Sequence, residues 1–198
     1  MNVGIILALM SGIGTILAYL DYNRVVLKGE TKPNGATWAI WSAIALVSSS
    51  SYLASSGDLW KSIIPVVNIF LCIGTFILAL MKGKFKKLDT TDWCALGIGI
   101  VATIVWKLTT AQHANLVVQV AITIGFIPTW IGVWKTPSCE KARPWWIWST
   151  SYSIAALVVI IRWKGQWVDL VYPTLCVVLH ASVPLVGILS RRFNPQQA

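Results

Sequence analysis

Apolar runs of membrane-crossing length recur seven times along this chain, and that recurrence leaves it little choice of fold. A helix needs about 20 such residues to cross ~30 Å of hydrocarbon, where every backbone polar group must be satisfied within the segment. The runs are residues 3–20, 37–54, 63–81, 93–106, 115–134, 145–161 and 170–190. The fourth is short and is expected to continue to about Thr110, with Lys107 reaching back to the interface. Charged residues make up 12% of the 198, and mean hydropathy is +0.69. A soluble domain of that size carries far more charge. The expectation is one all-α membrane domain, 1–198, of seven transmembrane helices. The first run lacks a basic leader region, so it is kept as a span rather than a signal peptide.

A net charge of +9 would suit a nucleic-acid binder, but its distribution points elsewhere. With the N-terminus outside, the inner segments 21–36, 82–92, 135–144 and 191–198 carry 3, 4, 3 and 2 Lys/Arg, twelve of the sixteen. The outer segments hold Lys61, Lys107, Arg162 and Lys164. Cations concentrate on cytoplasmic loops and set orientation. The reading is therefore N-out and C-in, in a plasma (inner) membrane, with anionic lipid and not nucleic acid facing the basic loops. Cys72, Cys94 and Cys176 lie in spans and Cys139 in an inner loop. None has metal spacing or an obvious disulfide partner, and they read as small buried apolar residues.

An internal repeat organises the chain. Ile40-Trp41-Ser42 aligns with Ile147-Trp148-Ser149, and Trp38 with Trp145, at an offset of 107. Gly57 then meets Gly165 and Pro65 meets Pro173 at 108, while Ile13-Gly14 meets Ile124-Gly125 at 111. Spans one to three (1–81) thus resemble spans five to seven (115–198), and the fourth, with its loops (82–114), is a linker. An odd linker helix makes the copies parallel, related by an axis along the membrane normal, and a solute path is expected at their interface.

Helical spacing then selects residues. Trp38, Trp41, Ala45, Ser48 and Tyr52 share a face of the second span; Trp145, Trp148, Tyr152, Ala155 and Val159 share one of the sixth. Such faces suit the walls of a cavity on which a planar or ring-shaped solute stacks, although the outermost indoles equally fit an interfacial aromatic belt. Pro65, Asn68 and Cys72 in the third span match Pro173, Cys176 and His180 in the seventh. Asn68 and His180 are the costliest side chains to leave in hydrocarbon. Each pairs well with a neutral hydroxyl- or amide-bearing solute, or with another helix. Gln119 and Thr123, like Ser11 and Thr15, add polar groups that also serve helix packing. Gly12, Gly14, Gly97 and Gly99 read as close-packing positions. Pro128 inside the fifth span, with Pro33 and Pro144 before the second and sixth, are candidate gate or hinge positions, or simply helix starts.

No catalytic set is present: all seven acids sit in loops or at span ends, and no phosphate loop, nucleophile elbow or metal-spaced His/Cys cluster occurs. The seventh span has no lysine for a retinal Schiff base. The chain is not expected to be an enzyme or to carry a cofactor.

The 3+1+3 plan in under 200 residues, and the stretch FIPTWIGVWKTPSCEKARPWWIWSTSYSIAAL, resemble the SWEET/PQ-loop transporters and the seven-helix nicotinamide-riboside carriers of related fold. TILAYLDYNRVVLKGETKPNGATWAIWSAIALVSSSSYL matches more loosely. The resemblance implies alternating access around a midplane cavity, touched by Asn68 on the third helix and by Trp41, Ser42, Trp148 and Ser149 on the second and sixth. The chain departs from the pattern at the signature Pro-Gln, which is Pro128-Thr129 in one copy and Leu17-Ala18 in the other. Cys176 also stands where asparagine is expected, with His180 nearby. The expected function is transport of a small polar metabolite, whether sugar, nucleoside or vitamin-like. Candidate solute contacts are Asn68, His180, Trp41, Ser42, Trp148, Ser149, Tyr152, Cys176 and Gln119. The alternative is a non-transporting receptor that binds a partner or lipid through loops 82–87 and 135–143. Pairing of two chains is left open by the sequence.

Overall fold

The computed structural model describes residues 2–31, 33–83, 87–88 and 90–193. These form seven α-helices: α1 (Val3–Leu27), α2 (Gly35–Ser56), α3 (Ile63–Lys82), α4 (Thr90–Leu108), α5 (Ala111–Lys135), α6 (Ala142–Ile161) and α7 (Val168–Phe193). Each apolar run lies inside one of them. The helices outrun the apolar segments because capping groups and charged turns, not hydropathy, set their ends. The side chains of Asn2, Asn34 and Thr110 accept the free amide hydrogens of Gly4, Ala36 and His113 at the starts of α1, α2 and α5. Gly57 ends α2 in the left-handed conformation (φ 56°), and Gly165 takes φ 81° just beyond α6. Pro144 occupies the first turn of α6, where the missing N–H has no partner to lose.

Six of the helices are long and apolar enough to cross a membrane; α2 falls short. Serines 48–51 and the polar ends lower its hydropathy. Its neighbours explain why this is tolerated, for α2 packs against α3, α5, α4 and α7 and so presents little of itself outward. The outward surfaces are apolar, as hydrocarbon requires: Phe70, Met81, Ile100, Ile104, Val178 and Ile188 are all exposed.

The main packing contacts close a ring in the order α1-α3-α2-α5-α7-α6, with α4 outside it against α5 and α2. Close approaches differ from the expectation at two glycines. A Cβ at Gly14 would strike Ser151 Oγ of α6, and one at Gly12 would rest 3.5 Å from Ile63, yet nothing lies within 4 Å of the Cβ position at Gly97 or Gly99. Those two residues of α4 are not packing contacts; they face open space on the outer helix. At Gly125 of α5, a Cβ would stand 2.7 Å from the indole nitrogen of Trp41.

Candidate functional site

The six ring helices enclose a central cavity of about 70 Å³. From α2 and α6 come Trp38, Trp41, Ser48, Trp145, Trp148 and Tyr152; from α3 and α7 come Asn68, Cys72, Tyr172, Cys176 and His180. Tyr19 of α1 and Phe126 of α5 complete the wall. Of the sequence candidates, Asn68, His180, Trp41, Trp148, Tyr152 and Cys176 meet here. Ser42, Ser149 and Gln119 do not. Ser42 donates to the Trp38 carbonyl at 2.8 Å, and Ser149 to the Val177 carbonyl at 3.1 Å. Gln119 donates to Asn115 in a polar seam that ties α5 to the Ser48 carbonyl and Ser51 hydroxyl of α2. Ser11, Thr15 and Thr123 donate to carbonyls of their own helices.

Aromatic edges and faces fix the shape of the cavity. Tyr19 meets Trp148 edge-on at 4.9 Å between ring centres, and His180 lies 5.0 Å from Tyr152 and 5.2 Å from Phe126. Asn68 donates through its amide nitrogen to the hydroxyls of Tyr152 (2.6 Å) and Tyr172 (3.3 Å), which makes it the polar centre of the site. Its Oδ1 has no partner, and neither has the Ser48 hydroxyl. His180 Nδ1 lies 2.7 Å from the Cys176 carbonyl. A carbonyl only accepts, so Nδ1 carries the hydrogen and the neutral ring keeps its lone pair on Nε2.

The two ends of the cavity differ. Away from the basic loops, Lys61 Nζ meets Asp169 Oδ2 at 2.7 Å, with both side chains at most 2% exposed. Tyr52 donates its hydroxyl to the Asp169 carbonyl at 2.7 Å, and its ring packs 5.2 Å from Tyr172. Asp58 accepts from Arg162 at 2.9 Å and lies 3.8 Å from Lys164. Burial alone would raise the Asp58 carboxyl, but Arg162 and the backbone amides of Lys61 and Trp60 outweigh it and hold the group below its ordinary value. Three of the four cations assigned to that side thus lie beside a carboxylate, Arg162 and Lys164 sharing Asp58.

At the basic end, a hollow of about 190 Å³ lies against the cavity and shares Trp38, Trp41 and Trp145 with it. Three indoles stand between the two spaces. Glu140, in the α5–α6 loop, holds this partition by accepting from Trp145 Nε1 at 3.2 Å and from the Tyr22 hydroxyl at 3.5 Å. Burial pushes its carboxyl up to about 7. Pro128 and Thr129 also line the hollow, whereas Pro33 is buried just before α2. Arg143 at the start of α6 pairs with Asp21 near the end of α1, its Nε at 2.8 Å from Oδ2.

Among the described residues no group of His, Cys, Asp and Glu is arranged to hold a metal ion. Comparison with protein-family models, curated proteins and solved structures finds no match to this chain.

Sequence reasoning missed Tyr19, Tyr172, Phe126 and the ion pairs. Tyr172 had a readable signal, since it stands four residues before Cys176 and eight before His180, on the face that was instead begun at Pro173.

Proposed function

We propose that this chain is an integral membrane transporter of a small, polar, uncharged solute, working by alternating access between two parallel three-helix units. α2 is then the seventh span, N-out and C-in, and α4 the linker. The observation that carries the reading is the central cavity itself. It is lined by one face each of α2, α3, α6 and α7, holds the unpartnered polar atoms Asn68 Oδ1 and Ser48 Oγ, and adjoins a second hollow across three indoles, while the buried Lys61–Asp169 pair lies toward the opposite end.

Further features support the two-unit arrangement. Replacing α1, α2, α3 by α5, α6, α7 and the reverse maps the packing ring onto itself. Gly57 and Gly165, 108 apart, both take positive φ. Gly14 and Gly125, 111 apart, each clear space for a side chain of a helix in the other unit. Lys61 and Asp169 are also 108 apart, so the buried ion pair joins equivalent positions and lies where an axis relating the units would pass.

Purified protein in liposomes is expected to carry some sugar, nucleobase, nucleoside or vitamin, with Asn68→Ala and His180→Ala reducing flux at least tenfold. Neutralising the basic loops 82–87 and 135–143 is expected to leave flux intact. The opposite pattern favours the receptor reading, which a groove lined by Arg24, Lys28, Lys141 and Arg143, the last two paired with Glu30 and Asp21, would serve. Absence of both flux and thermal stabilisation across a broad panel would reject transport.

A further inference from the structure

We infer that the central cavity selects an uncharged planar heterocycle that donates ring N–H groups, of the size and edge chemistry of a pyrimidine lactam, over a sugar. The inference rests on reading this cavity as the solute site and specifies what the site recognises.

The free hydrogen-bonding groups come first. Asn68 is 9% exposed and Ser48 2%, and both line the cavity. The amide nitrogen of Asn68 is engaged by two tyrosine hydroxyls, which leaves Oδ1 to accept. Ser48 Oγ is free, and His180 keeps Nε2 as an acceptor because Nδ1 is held by the Cys176 carbonyl. A buried acceptor without a donor is costly, so the occupant is one that brings donors. Turning the Asn68 amide about its last bond would exchange the free acceptor for a free donor. A lactam, with N–H beside C=O, pairs with either.

Charge and shape narrow the class. No Lys or Arg lines the cavity, so a carboxylate or phosphate would be buried without a counter-charge. The walls are flat rings, and base–aromatic stacking is favourable for any π-face. A hexose is puckered and has a hydroxyl on nearly every carbon, a rim poorly matched to flat aromatic walls and to the two unpartnered oxygens, Asn68 Oδ1 and Ser48 Oγ. Size adds a condition. An engineered cavity of about 150 Å³ admits benzene, whereas this one is about 70 Å³, so entry of a single ring requires the indoles shared with the adjoining hollow to shift.

The test uses the intact chain in detergent with three probes: uracil, 1,3-dimethyluracil and glucose. Thermal unfolding and tryptophan emission are read, since Trp41 and Trp148 report directly on the site. Uracil is expected to raise the Tm in a dose-dependent way and to quench emission. The dimethyl compound keeps the ring but loses both N–H groups, and is expected to bind roughly tenfold more weakly. Ser48→Ala is expected to weaken uracil about fivefold, and glucose to have no effect. Equal response to uracil and its dimethyl analogue overturns the inference, as does an unchanged response in Ser48→Ala. Stabilisation by glucose but not uracil overturns the solute class while leaving transport standing. Silence toward uracil at millimolar concentration also overturns it, and the flux panel then decides transport separately.

Discussion

At position 125 a hydrogen atom leaves room for an indole ring. A methyl there would sit 2.7 Å from Trp41 Nε1 and 3.3 Å from Cδ1, well inside van der Waals contact. Gly125→Ala is expected to cost about 1–3 kcal/mol through overpacking and to push Trp41 into the cavity it lines. Its Tm and solute uptake should therefore fall together. Gly97→Ala is the matched control: its Cβ meets nothing within 4 Å, so the change is expected to be neutral or to add about 1 kcal/mol by helix propensity alone. Glu140 makes a second residue-level claim. Its folded value of about 7 against an ordinary 4.5 means that the folded chain binds this proton more tightly than the unfolded one. The contribution is full below about 4.5 and is lost as pH rises to about 7. Melting temperature measured between pH 5 and 8 should decline across that window in the native chain, and Glu140→Gln should flatten the decline.

At the scale of helices, what could be read in advance follows from the solvent. Hydrocarbon demands uninterrupted apolar length, so all seven helices were visible as runs of residues, including α2, most of whose serines are buried against neighbouring helices. Helical spacing also placed Trp41, Trp148, Asn68, Cys176 and His180 on inward faces, because a face is a local property of one helix. What each polar group bonds to is not local. Ser42 and Ser149 share a span with cavity residues yet turn to carbonyls, and Gln119 turns to Asn115; nothing in their spacing distinguishes these outcomes. The α2–α5 seam gives its own prediction. Asn115 is 1% exposed and donates to both the Ser48 carbonyl and the Ser51 hydroxyl at 3.2 Å. Interhelical hydrogen bonds in membranes are worth about 0.6–2 kcal/mol. Asn115→Leu should lower stability by that order in a denaturation experiment, and a loss much larger would show that Gln119 depends on it.

For the molecule as a whole, the decisive contact is the buried pair of Lys61 and Asp169. Removing one partner strands the other charge, at a cost of about 3–5 kcal/mol, so Lys61→Ala and Asp169→Ala should each melt far below the native chain. Replacing both by Met and Leu should recover most of the loss. Exchange of the two, Lys61→Asp with Asp169→Lys, is more discriminating. Under the proposed two-unit arrangement the two residues are equivalent positions facing each other across an axis and can trade places, so the double exchange should restore stability that either single change destroys. A charge pair seated in two unlike surroundings would not survive the trade. In the sequence the two are opposite charges 108 residues apart, and only folding brings them to 2.7 Å.

The same contact bears on ancestry. Had two identical half-length chains once assembled face to face, each would have presented the same side chain at this spot, ammonium against ammonium or carboxylate against carboxylate. Under the proposed two-unit arrangement, the attraction now seen there requires that the two halves differ in sequence at this position. Under that arrangement, a copy of either half facing itself would set like charges against each other where Lys61 now meets Asp169.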